Sequence, residues 1–216
     1  MKNFIHHEFP KVIRIDGGTH RLYKTPNGDL YPSVTSVLGH LPNPGIEAWK
    51  KRVGEEEAKR VSKKATDRGT RIHTLAENYF LGKPLDIDMF DHDMWKSLQP
   101  VMDKIDNIHA LEGMLYSDKL RVAGTVDCIG EFDGELSVID FKTSGKPKDI
   151  NNIDNYFIQA TAYSVMFQEL FDIPIQNLTI IIGVDDAQPQ IFQQKRKGFI
   201  QKLIDLRQSF KSINLL

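Results

Sequence analysis

A single cysteine, Cys128, stands in this chain of 216 residues, which excludes an intrachain disulfide, a four-cysteine zinc site and an iron–sulfur cluster held by four cysteines of this chain. No stretch approaches eighteen uninterrupted apolar residues, so no membrane-spanning helix is expected. An excess of charge of either sign is missing too: 28 Lys and Arg against 29 Asp and Glu leave a formal net charge of −1. Any binding of a polyanion must then rest on a local arrangement of cations. The N-terminal segment carries Glu8 and Asp16 and has neither a continuous apolar run nor the acid-poor, Arg-rich character of a transit peptide, so a cytoplasmic location is expected.

What is present reads as one globular unit. Hydrophobic residues make up 40% of the chain and charged ones 26%, a balance that argues against disorder. Short β-type runs at Val12–Ile15 and His20–Lys24 precede a turn at Pro26-Asn27-Gly28-Asp29, and Ser33 suits the N-cap of a short helix. Pro42-Asn43-Pro44-Gly45 predicts a break. Ile46 to Phe80 is helical in composition, with Gly54 and Thr66-Asp67-Arg68-Gly69 suggesting two helices and Gly82 a stop. A helix is expected at Met94–Ile105, then strands at Ala110–Tyr116, Leu120–Gly130 and Leu136–Lys142, a helix near Asp154–Phe171 and a strand buried on both faces at Leu178–Val184. An edge strand at Gln190–Gln193 and a helix at Phe199–Ile213 complete the chain. Helix, strand, strand, strand, helix, strand implies an α/β fold, a mixed sheet flanked by helices.

Asp133-Gly134 is the dipeptide preferred in a two-residue type I′ hairpin turn. That turn sets the register: Asp127 falls opposite Asp140 and Thr125 opposite Lys142, all on one face, with Val126, Cys128, Ile139 and Phe141 on the other. Facing carboxylates repel unless a cation lies between them, and Mg²⁺ with its preference for oxygen ligands fits that place. Lys142 is then positioned to orient a water or to stabilise charge on a phosphoryl transition state. On spacing alone, the same residues also fit a solvated polar hairpin face.

The flanks carry further motifs. Tyr31-Pro32-Ser33-Val34-Thr35-Ser36-Val37-Leu38, Arg68-Gly69-Thr70-Arg71-Ile72-His73 with Glu77, Gly124-Thr125-Val126-Asp127, Val138-Ile139-Asp140-Phe141-Lys142-Thr143-Ser144, and Gln159 with Tyr163 occur in that order. In this combination the chain resembles the PD-(D/E)XK nuclease superfamily, specifically its RecB-like exonuclease branch, which includes mitochondrial genome maintenance and phage exonucleases. The resemblance implies an αβββαβ restriction-endonuclease-like core over residues 46–184, an N-terminal β-hairpin and short-helix lobe over 1–45, and an edge strand and C-terminal helix over 185–216. It implies Asp127, Asp140, the Phe141 carbonyl and His73 as ligands of Mg²⁺, with Mn²⁺ substituting, and Lys142 as the catalytic lysine.

By the same resemblance, Gln159 and Tyr163 support the site and contact DNA, and Glu77 orients His73. Ser33, Thr35, Ser36, Thr143, Arg68 and Arg71 meet the nucleic acid. Glu112, on the strand before the hairpin, is a further candidate for the metal. Read without the motifs, His73 also fits a helix-face histidine packed on the sheet and Ser33 a simple N-cap. The implied activity is a metal-dependent DNA exonuclease acting on single-stranded or frayed ends in replication, repair or recombination, in a bacterial or phage-infected cell. Helicase motifs are absent from the sequence, so unwinding would need a helicase or other replication–recombination partner. The rival readings are an endonuclease or junction resolvase of the same fold, and a nucleic-acid-binding module without turnover.

Overall fold

The computed structural model describes residues 2–17, 20–40 and 44–210. Strands β1 (Ile13–Ile15), β2 (Leu22–Lys24) and β3 (Leu30–Pro32) form a small antiparallel sheet, one strand more than the expected hairpin. Ser33 then caps helix α1 (Val34–Gly39), its hydroxyl accepting from the Ser36 N–H. Helix α2 (Pro44–Val53) begins inside the predicted Pro-Gly break, whose first two residues, Pro42 and Asn43, lie outside the described residues.

Helix α3 runs unbroken from Glu55 to Phe80, so the chain does break at Gly54, where φ is +87°, but not at Thr66–Gly69. A glycine inside a helix costs about 1 kcal/mol relative to alanine, too little to end one that buries Ile72, Leu75, Ala76 and Phe80 on a single face. Helix α4 (His92–Met102) ends three residues earlier than predicted. Ile105 continues the helical spacing of Trp95, Leu98 and Met102, yet it opens the long strand β4 (Ile105–Ser117), where it pairs with Phe132. Periodicity alone does not separate those two fates.

Strands β5 (Val122–Phe132) and β6 (Glu135–Ser144) form the hairpin, followed by α5 (Asp154–Phe171), β7 (Asn177–Val184), the edge strand β8 (Gln190–Lys195) and α6 (Ile200–Ser209). The last part of the expected C-terminal helix, from 211 onward, lies outside the described residues. The main sheet has the order β4-β5-β6-β7-β8, with β6 and β7 parallel and the other neighbours antiparallel. This is the mixed sheet flanked by helices that the sequence predicts. The free edge of β4 is partly covered by the N-terminal segment, which exchanges backbone bonds between Asn3, Ile5 and Ile108.

Two cores sandwich the sheet. On one face, Ile72, Phe80, Trp95, Leu98 and Met102 of α3 and α4 pack on Cys128, Ile139, Phe141 and Ile181. On the other, Phe157, Tyr163, Met166 and Phe167 of α5, with residues of α1 and α6, pack on Ile129, Val138, Ile180 and Ile182. No helix among the described residues is long and apolar enough to cross a membrane.

Candidate active site

Asp133 and Gly134 both have positive φ, +49° and +82°, as a type I′ turn requires. The register this turn sets holds from Phe132↔Glu135 to Cys128↔Ile139, and there the ladder stops. The expected pairings of Asp127 with Asp140 and of Thr125 with Lys142 are therefore not rungs of the sheet. Past the last rung, Oδ2 of Asp127 accepts a hydrogen bond from the backbone N–H of Phe141 at 2.8 Å. A side chain thus takes up the donor that a continued ladder would have used, and the strands part around it.

The distribution of core residues shows why. Cys128 faces α3 and α4, but Val126, expected beside it, is buried in the α5 core on the opposite side. On β4, Leu111 packs toward the α3 and α4 core while Leu115 packs toward α5. Both strands therefore exchange faces at the residues that stand opposite each other there, Glu112 and Asp127. Glu112 has φ of +48°, a left-handed conformation that non-glycine residues seldom adopt, and the flanking pairs Leu111↔Cys128 and Gly113↔Val126 keep register across it. The distortion aims the Glu112 carboxylate toward Asp127 and His73.

His73, from α3, completes the group. Its Nε2 donates to the Phe141 carbonyl at 2.9 Å, which leaves Nδ1 3.6 Å from Asp127 Oδ1 and 3.8 Å from Glu112 Oε1. Ligand atoms of His73, Glu112 and Asp127 all lie within 4.8 Å of one another. One imidazole nitrogen and two carboxylates, with the other imidazole nitrogen already fixed by a carbonyl, suit a divalent cation that accepts mixed N and O ligands. Burial lowers the affinity of His73 for its proton, but Glu112 and then Asp127 outweigh that effect and hold its pKa up at about 9.

Asp140 lies beneath this group rather than within it. It is 1% exposed, Oδ2 is ion-paired with the Lys142 ammonium, and Oδ1 has no hydrogen-bond partner among the described residues. Burial raises its pKa, Lys142 works against that, and the negative Asp127 adds to it. Burial pulls Lys142 down, yet Asp140 and Asp127 more than compensate and leave its pKa raised. An unsatisfied buried carboxylate oxygen is costly and marks a place where a cation fits. The Phe141 carbonyl, expected as a ligand, accepts the hydrogen bond of His73 Nε2 with one of its two lone pairs.

An open cleft of about 480 Å³ lies over these residues. Ser33, Thr35, His73, Glu77, Glu112, Asp127, Lys142, Gln159 and Tyr163 line it, so elements spread across most of the chain converge on one place. Ser36 and Thr143 are not among the lining residues. Neither are the two arginines assigned to nucleic acid: Arg68 pairs with both oxygens of Asp185, and Arg71 with the buried Asp91. The cleft also contains residues that sequence reading passed over. Thr66, Thr70 and Thr74 stand one turn apart along α3, a polar stripe visible in the spacing, while Arg14, Arg21 and Tyr23 come from the small sheet. Tyr23 reaches across to Thr125, with its hydroxyl 3.3 Å from Oγ1.

Comparison with known proteins points the same way. The family model of the PD-(D/E)XK nuclease superfamily matches residues 93–201, just over half of the chain. The human protein named mitochondrial genome maintenance exonuclease 1 is 28% identical over 177 residues, covering 74% of this chain and 51% of its own length. The mouse protein of the same name is 28% identical over 173 residues, covering 73% of this chain and 51% of its own. The chain thus spans about half the length of the curated relatives it matches. A crystal structure from Eubacterium rectale aligns over 66% of this chain and 64% of its own at 13% identity, with a TM-score of 0.41.

Proposed function

The chain belongs to the PD-(D/E)XK nuclease superfamily, and from that membership we propose that it is a divalent-metal-dependent DNA exonuclease. The observation that carries the reading is the convergence of His73 Nδ1, Glu112 and Asp127 at the point where β5 and β6 part, beside the Lys142–Asp140 pair. Those three side chains would hold the cation, with the unsatisfied Oδ1 of Asp140 close behind them. A bound Mg²⁺ or Mn²⁺ would supply a polarised phosphoryl oxygen and a water of lowered pKa.

The chain's own residues account for the rest. His73, fixed by the Phe141 carbonyl, presents Nδ1 toward Glu112 and Asp127 in one orientation. Asp127 is held by the Phe141 N–H and keeps its other oxygen directed at the same point. Lys142, kept charged by Asp140 and lying 5.3 Å over the Tyr156 ring, supplies a positive charge to the trigonal-bipyramidal phosphorus and to the departing oxygen. Gln159 and Tyr163 line the cleft from α5, and the Thr66 and Thr74 hydroxyls of α3 offer donors to the strand's phosphates, while that of Thr70 donates to the Thr66 carbonyl.

The exonuclease assignment draws on the names of the curated relatives. Action on single-stranded or frayed ends, in replication, repair or recombination, draws on the RecB-like resemblance. The test is to incubate the purified protein with end-labelled linear single strands, duplexes and covalently closed single-stranded circles, with Mg²⁺, with Mn²⁺ and with EDTA. Metal-dependent shortening of linear strands with intact circles is expected. Cut circles would indicate an endonuclease, and binding without cleavage under every condition would indicate a module without turnover.

A further inference from the structure

We propose that Arg14 and Arg21 form a clamp for a non-scissile phosphodiester group of the strand in the cleft, and that Asp16 occupies the clamp until the strand arrives. The inference rests on the nuclease reading only for the identity of the ligand.

The register of the small sheet places these residues. Arg14 pairs with Tyr23, and Tyr23 with Tyr31, so the three form one row across the sheet. Tyr23 and Tyr31 are buried against Ala123 of β5. Arg14, Arg21 and Tyr23 all line the cleft, and Asp16, two residues after Arg14, lies beside the two arginines. The Nε atoms of Arg14 and Arg21 both donate to Asp16, at 2.8 and 3.2 Å, one to each carboxylate oxygen. Two guanidinium groups converging on one oxyanion make an anion site, here filled by the chain itself. Asp16 is 59% exposed while Arg14 and Arg21 are 39% and 40% exposed, so the carboxylate is the outermost of the three and can be displaced without opening the fold. Among the described residues each guanidinium bonds this carboxylate through Nε, leaving the Nη edges for another acceptor.

Charge balance identifies the ligand. Besides His73, which stands against Glu112 and Asp127, the cations lining the cleft are Arg14, Arg21 and Lys142, facing Glu77, Glu112 and Asp127. Lys142 is committed to Asp140, and the nearby Arg68 and Arg71 to Asp185 and Asp91. Arg14 and Arg21 instead share one carboxylate, so the trio keeps one positive charge in excess, and a polyanion entering so acidic a cleft meets it there.

The test compares wild type, Arg14→Gln/Arg21→Gln and Asp16→Asn, all at exposed positions. Anisotropy of a labelled single-stranded oligonucleotide in EDTA gives Kd across a salt series, and cleavage with Mn²⁺ gives KM and kcat. The double variant is expected to raise Kd and KM about tenfold with kcat nearly unchanged, and to make the slope of log K against log salt shallower by about 0.7, the share of one phosphate contact. Asp16→Asn is expected to tighten binding severalfold, a change of sign that a merely structural Asp16 would not give. Wild-type Kd and salt slope in the double variant, or weakening by Asp16→Asn, would overturn the proposal. Inorganic phosphate or a nucleoside 5′-monophosphate binding to the arginine pair as tightly as the strand does would overturn it also, assigning the pair to product capture. Because binding is read in EDTA, absence of cleavage in the wild type would defeat the nuclease reading while leaving the clamp standing, and the reverse failure is equally distinct.

Discussion

Gly124 sits against the ring of Tyr163 so closely that a Cβ built on it would come 2.9 Å from Cε1 and 3.0 Å from the hydroxyl oxygen. The contact lies between β5 and α5, three residues before Asp127, and joins two motifs separated in sequence. Gly124→Ala should cost about 1–3 kcal/mol of stability, since neither the buried ring nor the strand backbone can yield cheaply. Tyr163→Ala opens space and should make the second change much milder. Thermal melts of both single variants and the double variant would reveal this as a coupling of about 1 kcal/mol or more, and additive losses would show that the contact is not the cause.

Glu112 should exchange stability for metal. Its left-handed backbone favours glycine, so Glu112→Gly is expected to raise the stability of the metal-free protein or leave it unchanged, while Mn²⁺ affinity measured by calorimetry falls at least about tenfold. Glu112→Ala should lose the same affinity without the gain in stability. Equal melting temperatures and wild-type Mn²⁺ affinity in both variants would remove Glu112 from the site.

The pH dependence has a definite sign. The folded pKa of His73, about 9, lies above its ordinary value of 6.5, so the stability it contributes to the metal-free protein is complete below about pH 6.5 and is lost as pH rises toward 9. The raised pKa of Asp140 acts in the same direction at lower pH, because ionisation of the buried carboxyl is disfavoured in the fold. A metal must displace the His73 proton, so its affinity should climb across the same interval, with proton release measurable in buffers of different ionisation enthalpy. His73→Gln should flatten the stability profile between pH 6.5 and 9.

Arg71 and Lys142 should separate folding from binding. Arg71→Ala leaves Asp91, 1% exposed, without its guanidinium and is expected to lower stability by about 1–3 kcal/mol while leaving strand affinity nearly intact. Lys142→Ala should abolish cleavage and also destabilise the fold, most strongly at neutral pH, because Asp140 can shed its unpaired charge by protonation when the solution is acidified. Circular dichroism melts and anisotropy on the same samples would check both.

The sequence was most legible where one local rule decides the outcome. Asp133-Gly134 required two positive φ angles and so fixed the hairpin register for five rungs. The apolar pattern of α5 defined a helix from Asp154 to Phe171, the bounds observed. Illegible features depended on contacts between distant segments. Nothing in the spacing around Glu112 announces a left-handed residue, because the strain is held by its partner strand, and so the face exchange that brings Glu112 to Asp127 and carries Val126 to the other core was missed. Arg68 and Arg71 read as nucleic-acid contacts because Asp185 and Asp91, which neutralise them, lie 117 and 20 residues away. Arg14 and Arg21 sit in a segment too short for periodicity to reveal that it folds back over the site.

The parting of β5 from β6 makes the main sheet a fork. One tine is the β4–β5 ribbon, the other the β6–β7–β8 ribbon, and they share a stem only from Cys128↔Ile139 to the turn. Glu112 and Asp127 ride on the first tine, Asp140 and Lys142 on the second, and the Asp127 to Phe141 bond is a stitch between them. An ion held by Glu112 and Asp127 that also drew on Oδ1 of Asp140 would work as a rivet, setting the spread of the tines and with it the aim of Lys142.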